Sequence, residues 1–394
     1  MGGRGLSGSS NTLSSKELGT RLRVARDRTG STQDIVAEKI GVSRTTLLAI
    51  EQGKRRVRDA ELVKLSTLYE LSINDLLRRD AIYVDLVPQF RRMGELDDIV
   101  SERAVTLLND FVSAEVELES ILGVRRTGEL PPERPLRKGD PRAQGKEDAM
   151  ELRMRLGLHN APVRDIFSIA SMDLGIRLYT HPLSGDISGV FAYEPSIGAC
   201  ILVNASHPYE KQVQTVAHET GHLVGTRHQP DVYTGDDSNR SRAERYARGF
   251  GHSFVLPARL LMEKAAEIRA GDDRLTRRHV ILLSHYFAAS HEAVVRRLEA
   301  IGGAVPGSWD WFVENGNITQ HHVHDVLGDQ STIRGTSGLL PTSVRLETLA
   351  AQALERELMS EGQIASLLKI PRIEVRRIKD ESENEGPGDD QLLL

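Results

Sequence analysis

Val216-Ala217-His218-Glu219-Thr220-Gly221-His222-Leu223-Val224 is the stretch on which the reading of this chain turns. Residues four apart on a helix lie one above the other, so His218 and His222 can aim their imidazoles at one point and grip a single metal ion. Glu219 stands beside that point. Two neutral imidazoles suit Zn²⁺, and the neighbouring carboxylate is placed to take a proton from a water that the metal activates for attack on a carbonyl. The competing explanation is an ordinary charged helix with two histidines. The apolar flanks speak against it, because they are what a site buried inside a fold requires.

The surrounding 394 residues are enough for two or three domains. No apolar run approaches the length of a membrane span, and residues 1–20 lack the apolar centre of a signal peptide, so a cytoplasmic protein without a membrane partner is expected. Cys200 is the single cysteine, which excludes an internal disulfide and any multi-cysteine metal site. Within Ala199-Cys200-Ile201-Leu202-Val203 it reads as a buried strand residue. Residues 1–58 hold 12 Lys+Arg against 5 Asp+Glu, a surplus of seven in a chain whose net charge is −5, so the remainder carries −12. A basic first segment on an acidic body points to nucleic acid as the partner of that segment.

Apolar spacing and caps organise the start of the chain. Leu18, Leu22 and Ala25 fit one helix, Thr32 to Ile40 a second, and Ser43 can cap a third that runs from Arg44 to about Gln52 and closes at Gly53. Two short helices joined by the Gly41-Val42 turn form a helix-turn-helix. Thr32-Gln33-Asp34-Ile35-Val36-Ala37-Glu38-Lys39-Ile40-Gly41-Val42-Ser43-Arg44-Thr45-Thr46-Leu47-Leu48-Ala49-Ile50-Glu51-Gln52-Gly53-Lys54-Arg55 resembles the Cro/CI-type (XRE) DNA-binding domain over roughly residues 16–78. The resemblance implies that the helix from Arg44 enters the major groove of double-stranded DNA, with Arg44, Thr45 and Thr46 contacting bases or phosphates. It also implies that Gln33 anchors the backbone, that Lys54, Arg55 and Arg56 add phosphate affinity, and that the protein is a homodimer.

Residues 79–126 read as long amphipathic helix with a Leu107, Leu108, Phe111, Val112, Val116, Leu118 stripe. Residues 128–145, dense in Pro, Gly and charge, read as a linker. Beyond it, helices are expected over Ala149–Leu158 and Val163–Met172, then strands at 176–179, 187–193 and 199–204, immediately ahead of the histidine helix. An α+β domain follows, with a small antiparallel sheet packed on helices.

Tetrahedral zinc needs a third protein ligand while water keeps the open position. His228 completes H-E-x-x-H-x-x-G-x-x-H, and Glu244 lies on a following helix. Gly189, Ile201-Leu202-Val203-Asn204, Thr215 to His222, and Glu244, Ala247, Phe250 and Leu256-Pro257 together resemble the ImmA/IrrE zinc metallopeptidases over about residues 150–262. That resemblance implies His218, His222 and Glu244 as ligands and Glu219 as general base, although Tyr246 stands where many members carry a second Glu.

His321, His322 and His324 fall in a polar stretch read as a loop or strand end, and Ser360–Ile378 repeats the rhythm of residues 31–50, as a helical bundle or a degenerate second DNA-binding unit. The expected organisation is a lead-in at 1–15, an all-α helix-turn-helix domain at 16–80 and a helical connector and linker at 81–147. A zincin-like α+β domain at 148–262, a mainly helical region at 263–379 and an acidic tail at 380–394 complete it. The expected function is a DNA-binding transcriptional regulator whose zinc peptidase cleaves a repressor or partner protein. The alternatives are a regulator with a non-proteolytic sensor or partner-binding domain, and an antitoxin-type module.

Overall fold

The computed structural model describes residues 14–69, 76–77, 84–93, 99–234, 241–272, 274–328 and 343–384. Most of the expected lead-in, most of the segment 73–77 and the tail from residue 385 lie outside the described residues. The chain divides into two compact units, Met1–Asp85 and Leu86–Leu394.

The first unit is built from α1 (Ser15–Arg28), α2 (Gln33–Ile40), α3 (Arg44–Glu51) and α4 (Asp59–Leu68). Each of the first three helices starts at a hydroxyl cap: Ser14 Oγ accepts from Glu17 N, Thr32 Oγ1 from Ile35 N, and Ser43 Oγ from Thr46 N. Gly41 ends α2 in the left-handed region, at φ 80°, which turns the chain into α3. The core is Leu22, Ala25, Val36, Ala37, Ile40, Leu47, Ile50, Leu62 and Leu65. A Cβ on Gly19 would stand 2.3 Å from the Ile50 carbonyl oxygen, so α1 and α3 touch backbone to backbone.

The second unit begins with α5 (Val87–Met93) and α6 (Ile99–Leu122), followed by α7 (Pro141–Arg155) and one turn of helix, α8 (Ile166–Ser168), that widens into a π-helical segment, Ile169–Asp173. Strands β1 (Arg177–His181), β2 (Gly189–Glu194), β3 (Gly198–Asn204) and β4 (Asp231–Tyr233) form a sheet in the order β1-β3-β2-β4. The β2–β3 pairing is antiparallel as expected and so is β2–β4, a pairing the sequence did not announce, but β1 runs parallel to β3, so the sheet is mixed. The reason is topological: β2 and β3 form a hairpin, and β1, which precedes it, joins on the β3 side. No sequence signal had marked β4, which is only three residues long.

Both faces of the sheet are covered. Phe191, Ala199, Ile201 and Val203 face the helix α9 (Tyr209–Gly225), while Tyr179 on the other face stacks on Phe111 of α6 at 5.5 Å. Continuous burial explains why β3 reads as an unbroken apolar run. On the α6 side, Glu115 and Glu119 are buried among cations. Arg177 donates to both carboxylates at 2.8 Å, Arg126 to Glu115 at 2.7 Å, and Tyr179 Oη to Glu115 at 2.6 Å.

The Pro- and Gly-rich stretch expected as a linker is packed. Arg134 N donates to the Val224 carbonyl at 2.7 Å, Gln144 Nε2 to the Pro135 carbonyl at 3.1 Å, and Arg242 Nη2 to the Arg137 carbonyl at 2.7 Å. Its later part is the beginning of α7. Prolines and charges can serve a fixed strap as well as a loose tether, and here hydrogen bonds from the buried Gln144 and from Arg242 tie the backbone down.

Past the sheet come α10 (Arg242–Val255), α11 (Ala258–Arg269), α12 (Arg277–Phe287), α13 (His291–Ala300), α14 (Ser308–Glu314) and α15 (Gln320–Leu327). His321, His322 and His324 thus lie on a helix and not in a loop. Thr319 and His322 form a reciprocal cap at its start, which Thr-x-x-His does not announce in the way Thr-x-x-Glu does. Last are α16 (Val344–Glu355), α17 (Glu361–Leu368) and α18 (Arg372–Asn384). α16 and α17 pack along α6, where Arg345 Nη2 donates to Glu119 at 2.9 Å and Lys369 pairs with Asp110. Ser360–Ile378 is thus helical and packs on α6.

Candidate metal centre

α9 carries its polar side chains into the protein because the helix is enclosed from Thr215 to Gly225. The sheet lies on one side and α10 on the other. Three close approaches set that enclosure. A Cβ on Gly221 would stand 2.9 Å from Ala247 Cα, and one on Gly225 would enter the Tyr246 ring at 2.2 Å. On the sheet side, a Cβ on Gly189 would lie 3.0 Å from Glu219 Oε1 and 2.6 Å from Thr215 Cγ2. Bare glycine surface therefore lets α10 and β2 come within reach of the histidines.

At this meeting point His218 Nε2 and His222 Nε2 are 3.2 Å apart. Glu244, in the first turn of α10, reaches both: Oε1 is 3.0 Å from His222 Nε2 and Oε2 is 3.3 Å from His218 Nε2. Ser241 caps that helix by accepting from Glu244 N at 3.0 Å, and the helix N-terminus favours the ionised carboxylate. A fourth group, Asp231 of β4, has Oδ2 3.8 Å from His222 Nε2. Ligand atoms of His218, His222, Asp231 and Glu244 all lie within 4.8 Å of one another, and all four residues are buried.

The protonation states fit a cation. Burial pushes His218 down to about 4, so the imidazole is neutral near pH 7. Burial by itself would raise the Glu244 carboxyl, but hydrogen bonds to His218 and His222 outweigh it and hold the group well below the ordinary carboxylate range. Burial, with Asp231 and Glu244 nearby, raises Glu219 well above that range. Glu219 Oε1 and Oε2 and His218 Nδ1 are buried with no hydrogen-bond partner among the described residues. Such orphaned groups cost about 1–3 kcal/mol each when nothing satisfies them. A neutral imidazole at His218, a second imidazole at His222, an ionised carboxylate at Glu244 and the unsatisfied oxygens of Glu219 beside them suit a divalent metal.

With His222 Nε2 turned to the cluster, its Nδ1–H is left to donate to Thr226 Oγ1, 2.9 Å away. That bond fixes the ring, as outer partners of metal-binding histidines do. Tyr233 stacks on His218 with centroids 4.0 Å apart, and Phe191 lies against His222 at 6.2 Å.

Residues 171–299 match the family model of the IrrE N-terminal-like domain, a peptidase family, and residues 17–79 match that of a helix-turn-helix domain. The chain joins a helix-turn-helix domain to an IrrE-like domain. It also resembles the HTH-type transcriptional regulator ImmR of Bacillus subtilis (strain 168), with 38% identity over 65 residues, 16% of this chain and 51% of that protein. The chain thus spans about half the length of that curated relative.

In the IrrE-like domain, His228 stays away from the cluster. It is exposed, with Nε2 3.6 Å from Glu133 Oε2. His252 is on α10, and burial lowers it to about 4. Tyr246 is fully buried and donates to Asp148 Oδ2 at 2.9 Å, so the residue that departs from the family pattern joins α10 to α7. Asp231 was not picked out from the sequence; its only signal is an acidic residue next to Val232-Tyr233 in a stretch too short to read as a strand.

In the helix-turn-helix domain, Arg44 and Thr45 are exposed at the start of α3, and Thr46 Oγ1 shares a 2.8 Å hydrogen bond with Ser43 Oγ. Lys54 and Arg56 are exposed. Gln33 and Arg55 are engaged within the fold. Gln33 Nε2 donates to Glu51 Oε2 at 2.8 Å, and the Arg55 guanidinium forks onto both oxygens of Glu61 at 2.9 Å. Glu51 also accepts from Arg26 Nε at 2.6 Å, so one buried carboxylate joins α1, α2 and α3.

Proposed function

We propose that this protein is a DNA-binding transcriptional regulator whose IrrE-like domain is a zinc-dependent endopeptidase acting on a regulatory protein. The observation that carries the reading is the convergence of His218, His222 and Glu244 next to the buried carboxylate of Glu219. His218 and His222 offer one turn of a rigid helix, and Glu244 offers the carboxylate from α10, as the three ligands of Zn²⁺. When bound, the metal supplies a Lewis acid that polarises a peptide carbonyl and makes water acidic.

Glu219 is the general base. Burial makes its carboxylate more basic than an exposed one, so it accepts a proton from the attacking water readily and can pass it on to the leaving amine. Thr226 keeps His222 in the orientation that points Nε2 at the cluster. The sheet, α9 and α10 exclude bulk water from the base.

In the first unit Arg44, Thr45 and Thr46 are assigned to the major groove and Lys54 and Arg56 to phosphates. The engagement of Gln33 with Glu51 supports a role in setting the start of α2 against the DNA backbone, and Arg55 has to share its guanidinium with Glu61. The likeness to the regulator ImmR and the helix-turn-helix match support DNA as the partner and transcription as the output. A homodimer reading paired half-sites follows from the same class of domain.

The test is Glu219→Gln, followed by both cleavage of co-expressed DNA-binding proteins from the same cell and reporter transcription. Loss of cleavage together with loss of induction supports the reading. A variant that regulates as the parent protein does removes proteolysis from the mechanism.

A further inference from the structure

The mechanism above uses three of the four groups that converge in the IrrE-like domain and leaves Asp231 without a task. Asp231 opens β4, the short edge strand paired antiparallel to β2, with Phe191 opposite Asp231 and Gly189 opposite Tyr233. Residues two apart on a strand point to the same face. Here that face is the one toward α9, so Tyr233 covers the His218 ring at 4.0 Å while Asp231 approaches His222 Nε2 at 3.8 Å. One strand thus closes over both histidines.

The charge inventory gives this position chemical meaning. Glu219, Asp231 and Glu244 bring three carboxylates into one buried space, and Glu219 has neither oxygen hydrogen-bonded among the described residues. Buried like charges of this kind are tolerated when a cation or a proton neutralises them. A divalent ion held by the two histidines and Glu244 would lie within the same 4.8 Å set of ligand atoms that includes Asp231.

We infer that Asp231 is a fourth protein ligand of the metal, so that the resting site is closed by His218, His222, Asp231 and Glu244. The inference rests on the metal assignment of the proposed function. A zinc held by four protein ligands has the composition of a structural site, whereas a hydrolytic one keeps a position for water or substrate. Catalysis then requires Asp231 to release the metal. Of the four donors it is the one on the weakest support. The histidines share an enclosed helix and Glu244 starts a 14-residue helix, but β4 holds to β2 through three paired positions at the sheet edge.

The experiment loads the full-length protein with Co²⁺ alone, for the parent and for Asp231→Ala, Asp231→Asn and His218→Ala. It reads Co²⁺ affinity by competition with a chelator and the visible absorption of the bound ion. The expected result is an affinity at least about tenfold weaker in both Asp231 variants, with a shifted spectrum as solvent replaces the carboxylate, and no binding in His218→Ala. Asn preserves the shape of the side chain, so agreement between Ala and Asn separates loss of a ligand from loss of β4. Parent-like affinity and spectrum in both Asp231 variants, with His218→Ala still unable to bind, overturn the inference and leave the three-ligand assignment standing. Parent-like binding by His218→Ala overturns the metal assignment itself, and this inference with it.

Discussion

The two units of this chain present their polar residues in opposite ways. In Met1–Asp85 the charged side chain at the centre of the fold, Glu51, is fully used by Arg26 and Gln33, and Arg44, Thr45, Lys54 and Arg56 stand exposed at the two ends of α3. In Leu86–Leu394 the polar residues that matter are inside, brought together from α9, α10 and β4, and both oxygens of Glu219 and Nδ1 of His218 have no hydrogen-bond partner among the described residues. A buried polar group that is satisfied reads as architecture; one left unsatisfied reads as a place for something the protein binds.

The sharpest break of that contrast is His218→Ala or Glu244→Ala. Either change is expected to abolish stoichiometric zinc, measured by metal analysis of purified protein, while leaving DNA affinity of the first unit unchanged. Gly225→Leu comes next. It drives a side chain into the Tyr246 ring, and overpacking of this severity is expected to cost about 3 kcal/mol or more, seen as a lower unfolding midpoint for the second unit only. Glu51→Ala is the matching lesion in the first unit. It leaves Arg26 without its buried partner and is expected to cost roughly 3 kcal/mol by denaturant unfolding.

Arg44→Ala tests the exposed side of the comparison. Its ion pair with Asp34, 3.7 Å long and exposed at both ends, contributes little, so stability should move by no more than about 0.5 kcal/mol. DNA affinity should fall about tenfold, with a shallower salt dependence if the contact is to phosphate. The last comparison is a pH dependence. Burial lowers His252 from 6.5 to about 4, so between these values the unfolded chain binds the extra proton and the folded one does not. Stability is therefore expected to decline as pH falls through this window, and His252→Gln should flatten the decline in a pH series of thermal melts.

Local features of this molecule were legible in the sequence and remote ones were not. The cap at Ser43, the Gly41 turn and the two histidines one helical turn apart are each settled within a few residues. Glu244 was reachable through a family resemblance, because nothing near His222 in the chain says which later helix will cross it. Asp231 was out of reach: its position depends on a three-residue strand held by β2, and strands that short leave no alternation to read. The stretch before α7 was misread for a related reason. Composition distinguishes polar from apolar backbone, but partners that fix it, the Val224 carbonyl and the Arg242 guanidinium, lie far along the chain.

The bare glycine faces around α9 carry a consequence for how such a centre can vary over generations. A methyl group on Gly189 would meet the Thr215 methyl and the Glu219 carboxylate, one on Gly221 the backbone of α10, and one on Gly225 the Tyr246 ring. At Gly221 and Gly225 even alanine forces backbone or a buried ring to move. Inherited loss of the centre can therefore arise without any change to a histidine or carboxylate, and a screen for defective alleles should return these glycines alongside the ligands.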